Sequence, residues 1–169
     1  MSNYRVAIGS LGTIGTTVAK KLDEGIDGLS LVAVSANNRD RAQQKVAGFK
    51  RPPSVLAANE LANTADIVVE CAPAEIFREI AEPAINAGKK FMPLSVGALL
   101  SHWDLVERAS ETGAKILVPS GALLGLDAVR AASEGEFDSV TMVTHKPPCL
   151  LYTSPSPRDA TLSRMPSSS

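Results

Sequence analysis

Aromatic residues make up only 4% of the 169-residue chain, too few for the stacking platforms that grip single-stranded nucleic acid. Charge of one sign is also missing. Seventeen Lys and Arg against eighteen Asp and Glu give a formal net charge of −1, which leaves no electrostatic case for nucleic acid or an anionic membrane as partner. No apolar run approaches the roughly 20 residues that span a bilayer. The N-terminal apolar segment, Val6–Ile8, is too brief for a signal peptide. Cysteine is limited to Cys71 and Cys149, so no disulfide framework is expected. A reducing, cytoplasmic setting follows as the simplest expectation, and no metal site is expected.

What is present is a hydrophobic fraction of 44%, enough to build the core of one ordinary domain. The most informative stretch is Arg5-Val-Ala-Ile-Gly-Ser-Leu-Gly-Thr-Ile-Gly15. A short apolar strand runs into a glycine-rich turn, and the turn runs into a helical pattern. These are the parts of a dinucleotide-binding βαβ unit. Gly12 and Gly15 fit the second and third glycines of G-x-G-x-x-G, whereas Ser10 stands where the first belongs. An ordinary strand-to-helix turn is the competing reading. On the nucleotide reading, Gly9, Ser10, Leu11, Gly12, Thr13 and Ile14 are the candidate cofactor contacts, with the pyrophosphate approaching the backbone at Gly12 and the N–H groups of the first helical turn facing the phosphates.

The periodicity predicts a helix over Thr13–Leu22, a buried strand over Leu29–Val34 and a helix over Arg39–Val46. No carboxylate follows the second strand directly, where an NAD-specific fold keeps one for the ribose 2′-OH. Ser35, Asn37 and Arg39 could instead receive a 2′-phosphate, or Asn38 or Asp40 could simply cap the next helix. Pro52-Pro53 interrupts the chain, and Leu56–Ala62 suggests a short helix. Ala65–Glu70 reads as a strand ending at a second ligand-edge turn with Cys71 and Ala72. Cys71 reads as a small buried residue, since no His accompanies it nearby. Glu75–Ala87 is a helix closed by Gly88, with Pro83 predicting a kink or early break. Lys90–Ser95 is a further strand, leading to a third turn with Ser95 and Gly97. Ser101 is expected to cap a helix that ends near Thr112 and is closed by Gly113. Ala114–Val118 is a strand, Pro119–Asp127 a small-residue turn leading into a helix through about Ser133, and Ser139–Thr144 an alternating strand. The fold class is α/β: a Rossmann-like, doubly wound parallel sheet.

The segment Ser120-Gly-Ala-Leu-Leu-Gly-Leu-Asp127 narrows the reading. Together with Gly12-Thr-Ile-Gly15, Val69-Glu-Cys-Ala72, Leu94-Ser-Val-Gly97 and Thr144-His-Lys-Pro147, it resembles the L-aspartate dehydrogenase family over about residues 4–148. The resemblance implies NAD or NADP as cofactor and L-aspartate as the small-molecule substrate. It implies oxidative deamination through iminoaspartate to oxaloacetate and ammonia, and a homodimer for the full-length form. It places Ala122 at a cofactor-contacting alanine, and Ser120 and Gly121 next to the substrate. It also places the family's histidine acid–base group beyond this region, so neither His102 nor His145 takes that role. The implied organisation is a dinucleotide-binding domain over 1–138, then the truncated start of an α+β catalytic domain at 139–148. Other two-domain NAD(P)-dependent oxidoreductases, such as dihydrodipicolinate reductase or homoserine dehydrogenase relatives, and a nucleotide-binding module without catalysis, are the alternatives.

From Cys149 the composition changes. Residues 149–169 lack periodicity and are rich in Ser and Pro, as in disordered segments. The segment also looks like a sequencing adapter translated in frame, and it begins where the family's second domain continues. The native gene is therefore expected to continue past Pro148 with a different sequence. Sequencing the locus tests this: codons for 149–169 bearing no relation to adapter sequence would overturn it.

Overall fold

Short apolar runs separated by amphipathic stretches give alternating strands and helices, and here they assemble into one parallel sheet. A computed structural model describes residues 3–119, together with 133–135, 139 and 141. Within the compact unit Met1–Gly121, the strands are β1 (Tyr4–Gly9), β2 (Leu29–Ser35), β3 (Ser54–Leu56), β4 (Ile67–Glu70), β5 (Lys90–Pro93) and β6 (Lys115–Ile116). The helices are α1 (Thr13–Glu24), α2 (Arg39–Val46), α3 (Phe77–Asn86), the single turn α4 (Ala98–Ser101) and α5 (Trp103–Thr112). The sheet order is β3-β2-β1-β4-β5-β6, with every pairing parallel. In the second unit, Ala122–Ser169, a turn at Ser133–Glu134 is described. The segment Ser120–Ala122, the strand expected over Ser139–Thr144 and residues 149–169 otherwise lie outside the described residues.

Alternating side chains of β1 feed two cores, as the pleat requires. Val6 and Ile8 join Leu11, Ala19, Leu22, Val34, Ala42 and Val46 on the α1–α2 side. Ala7 joins Val68, Phe77, Ile80, Phe91 and Leu105 on the α3–α5 side. Phe77 and Phe91 meet edge to face, with ring centroids 5.7 Å apart. Burial on both faces explains why these strands read as almost unbroken apolar runs.

The carboxyl ends of four strands are flush. Ser35 pairs with Gly9, Gly9 with Glu70, and Glu70 with Pro93. This row forms the floor of the ligand edge, because ligands of open α/β sheets sit outside the carboxyl ends where strand order reverses. Here the reversal falls at β1, between β2 and β4.

Three expectations need correction. Leu56–Ala62 is not one helix. Ser54–Leu56 pairs with Ala33–Ser35 as β3, and a 3₁₀ helix, Ala58–Asn63, follows. The Glu60 carboxylate accepts the Ala57 N–H at 2.9 Å and fixes where that turn begins. Ser101 does not cap α5. It ends α4, and the N-cap is His102, whose ring stacks on Phe77. Pro83 does not break α3, which begins two residues later than expected and runs through it to Asn86. The missing proline N–H withdraws a donor only from Glu79, on an exposed turn where water can replace it. Gly88 closes α3 with positive φ, and the N–H groups of Gly88 and Lys89 donate to Ile85 and Ala84. That is the Schellman arrangement.

Asp66 pins the amino edge. Its carboxylate accepts the Arg5 backbone N–H at 2.9 Å and pairs with the Arg5 guanidinium at 2.8 Å. These bonds hold the Asp66 carboxyl at about 2, below its ordinary 3.8. A carboxyl depressed in the folded state stabilises the fold above its unfolded pKa, and that contribution disappears as pH falls through the folded value. The thermal midpoint of Asp66→Asn should therefore lie below that of the unaltered chain at pH 7. The gap should close between pH 3.8 and about 2, as followed by circular dichroism melts across pH. A gap that is independent of pH would overturn the assignment.

Candidate functional site

The turn from β1 to α1 is very short: Ser10, Leu11 and Gly12 make the whole connection. Ser10 has φ +82° and is the only non-glycine residue with positive φ among the described residues. It does the conformational work expected of the first fingerprint glycine, which is why serine can stand there, at a strain of about 1–2 kcal/mol. Its backbone N–H donates to Ser35 Oγ at 3.2 Å, which ties the turn to the end of β2. Its carbonyl occupies the place a Cβ on Gly15 would need. Gly15 is thus required by the turn itself. A Cβ on Gly12, in contrast, would meet nothing within 4 Å. Among the described residues no atom demands glycine there, and such open space is what a close-approaching ligand needs.

The first turn of α1 is laid out for an anion. No side chain caps it, and it contains no acidic residue, so its N–H groups lack both an internal partner and a competing charge. Thr16 Oγ1 and Lys45 Nζ both donate to the Leu11 carbonyl, at 3.0 and 2.9 Å. Because a trans peptide holds its N–H opposite its carbonyl, engaging that oxygen turns the Gly12 N–H away from the two donors.

Two cavities open on this edge. The larger, about 410 Å³, is bordered by Ser10, Ser35, Asn37 and Arg39, with Ala57 and Ile76 opposite. The smaller, about 210 Å³, lies between Gly12 and the start of α2, where Arg41 and Lys45 border it together with Asn37. A larger concavity, about 480 Å³, sits at the amino edge around Asp23, Gly25 and Lys50. There the Asp23 carboxylate is taken up by the Lys50 and Arg51 backbone N–H groups, and the strand ends that carry ligands are elsewhere.

The structure brings Ser10, Ser35, Asn37 and Arg39 to one cleft and Leu11 and Gly12 to its neighbour. Gly9 packs against Ile80, while Thr13 and Ile14 form the first turn of α1. Arg39 Nη2 sits 3.9 Å from Glu60 Oε2, whereas Arg41 and Lys45 are the cations beside Gly12. Asn38 does cap α2, its Oδ1 accepting from Arg41 N–H at 2.9 Å. Cys71, Ala72, Ser95 and Gly97 lie in the turns after β4 and β5. Burial, then the adjacent Glu70, pushes the Cys71 thiol up to about 12. It is protonated at neutral pH and unsuited to nucleophilic attack. Ser120, Gly121 and Ala122 lie outside the described residues.

Sequence reasoning passed over Arg41, Lys45 and Glu70. The first two carried a signal in their i, i+4 spacing, which puts both on one face of α2. Glu70 carried none, because a carboxylate at a strand end is normally exposed, yet here it is fully buried. Among the described residues no group of three or more His, Cys, Asp or Glu could hold a metal ion. Nor is any helix among them long and apolar enough to cross a membrane.

The glycine turn, the uncapped α1 terminus and the switch-point cleft are the parts of a dinucleotide-binding domain. The family model described as the NAD-binding domain of homoserine dehydrogenase matches residues 11–119, and the chain belongs to that family. It is 51% identical over 146 residues to an L-aspartate dehydrogenase of Bradyrhizobium diazoefficiens, covering 86% of this chain and 52% of that protein. It is 48% identical to L-aspartate dehydrogenase 3 of Bordetella bronchiseptica, covering 85% and 53%. The chain thus spans about half the length of the curated relatives it matches. In fold it is similar to scyllo-inositol dehydrogenase from Lactobacillus casei with bound NAD(H), with a TM-score of 0.59, 14% identity, and coverage of 79% and 41%. It is likewise similar to a homoserine dehydrogenase from Thiobacillus denitrificans, with a TM-score of 0.58, 23% identity, and coverage of 79% and 33%.

Gly15→Ala should lower stability by about 1–3 kcal/mol, the usual cost of overpacking. Ser10→Gly should leave stability unchanged or slightly raised, since it relieves the positive φ. Denaturant unfolding checks both. Tolerance of Gly15→Ala at full stability would show that the turn relaxes freely.

Proposed function

We propose that this chain is the cofactor-holding part of an NAD(P)-dependent L-aspartate dehydrogenase, which converts L-aspartate through iminoaspartate to oxaloacetate and ammonia. The observation that carries the reading is the 51% identity to an L-aspartate dehydrogenase over 86% of the chain, joined to a glycine turn with open space above Gly12. The cofactor supplies the hydride acceptor when bound; the residues of this chain bind and orient it. The Gly12 turn and the first-turn N–H groups of α1 hold the pyrophosphate. Ser35 and Asn37 face the adenosine ribose, in the cleft they share with Ser10. Cys71, Ala72, Ser95 and Gly97 border the nicotinamide half, and Ala122, Ser120 and Gly121 belong to the segment that follows. Arg41 and Lys45, rather than Arg39, receive a 2′-phosphate. They flank the smaller cavity beside Gly12, whereas Arg39 is turned to Glu60.

His102 is stacked on Phe77, ring centroids 5.6 Å apart, and takes no acid–base role in this reading. The acid–base group and the subunit contacts of a homodimer fall to the portion of the relatives that this chain does not span. Residues 1–138 form the dinucleotide-binding domain, 139–148 begin the catalytic one, and the enzyme works in the cytoplasm on a small molecule.

Fluorescence titration with NADH and NADPH, alongside an assay of L-aspartate-dependent NAD(P) reduction, tests the reading. The 169-residue chain should bind both cofactors without turnover. A double change, Arg41→Ala with Lys45→Ala, should weaken NADPH about tenfold or more and NADH about twofold, since charge-assisted contacts contribute about 1.5–3 kcal/mol. Absence of binding to either cofactor would overturn the proposal.

A further inference from the structure

Glu70 is the one fully buried carboxylate among the described residues. It stands at the end of β4, in the flush row Ser35–Gly9–Glu70–Pro93. An acidic side chain without solvent is costly unless its oxygens are occupied. Here, among the described residues, every side-chain partner comes from one of two loops. Oε1 accepts the Ala72 N–H at 2.5 Å and lies 3.2 Å from Ser95 Oγ, while Oε2 accepts the Ser95 N–H at 3.0 Å. Ser95 Oγ also lies 3.0 Å from the Ala72 carbonyl oxygen, so the hydroxyl closes a ring joining the loop after β4 to the loop after β5. The backbone reinforces it, with Leu94 N–H donating to the Glu70 carbonyl at 3.0 Å and Cys71 N–H to the Gly9 carbonyl at 2.8 Å.

The position of the ring gives it meaning. A dinucleotide lies across the strand reversal. The adenosine cleft opens on the β2 side of β1, with Ser35 and Asn37, and reaches the loop after β4 only beyond Ala72, at Pro73 and Ile76. The other half of the molecule must then extend over the carboxyl ends of β4 and β5, where the two tied loops are. Among the described residues, the side-chain partners of Glu70 are Ala72 and Ser95, neither of which borders the adenosine cleft.

We propose that Glu70 is a positioning residue for the nicotinamide half of the cofactor: by accepting from Ala72 and Ser95 it sets the spacing of the two loops on which the nicotinamide ribose rests. The inference depends on the cofactor reading above. It assigns Glu70 no contact with the cofactor, only control of the loops that make one.

The two halves of the cofactor separate the possibilities. ADP carries the adenosine and pyrophosphate only, and NADH adds the nicotinamide nucleoside. Glu70→Gln keeps the size of the side chain but sets an NH₂ against one of the two backbone N–H donors. In the 169-residue chain it should weaken NADH binding tenfold or more while changing ADP binding less than twofold. Ser95→Ala removes only the hydroxyl bridge and should weaken NADH about threefold, again sparing ADP. Equal losses for NADH and ADP would reduce Glu70 to a structural group and overturn the proposal, as would unchanged NADH binding. Should Glu70→Gln not fold, Ser95→Ala decides alone by the same comparison. If the unaltered chain binds neither ADP nor NADH, the cofactor reading fails first and takes this inference with it.

Discussion

The approach of the Ser10 carbonyl to Gly15 is the contact around which this domain is built. Between β1 and α1 the chain must reverse in three residues, and it does so with the turn pressed against the second residue after Thr13 in the helix. No side chain fits in that gap. The geometry forces Ser10 into positive φ, brings its N–H onto Ser35, and leaves the first turn of α1 without a cap. Each consequence fits the anion site proposed above: the reversal is tight, and among the described residues no side chain caps α1 and no atom would crowd a Cβ on Gly12. Strain at one residue is the cost, and it sits where binding can use it.

The rest of the sheet extends this arrangement sideways. Flush strand ends turn four loops toward one edge. Side-chain bonds then hold three of those loops in register: Ser35 and Lys45 for the turn after β1, and Glu70 for the loops after β4 and β5. Two cores, one on each face, make the platform rigid. Ligand geometry therefore rests on buried strands and reaches the solvent edge through few hydrogen bonds, each from a named residue.

Much of this was legible beforehand. β1, β2, β4 and α1 announce themselves through apolar runs and helical periodicity, although Ile14, expected one turn before Val18 on the apolar face, is exposed and the buried face of α1 is Gly15, Ala19 and Leu22. Gly88 and Gly113 mark helix ends because only a residue at ease with positive φ fits them. What was hidden has physical reasons. β3 is three residues long, too short for any period to show, and exists because Leu56 finds Ser35 beside it. Pro83 reads as a breaker, yet its lost bond falls on an exposed turn. His102 looks like a polar residue before a helix and is instead stacked on Phe77.

The sequence by itself determined the fold class, the glycine turn and the likeness to L-aspartate dehydrogenases, because periodicity and small-residue spacing are local properties written along the chain. Only the tertiary structure decided how Ser10 substitutes for glycine, which cations flank Gly12, and that Glu70 is buried. Those depend on where β2, β5 and α2 pass in space. A residue's neighbours across a parallel sheet lie some twenty to sixty positions away, and no local pattern records them.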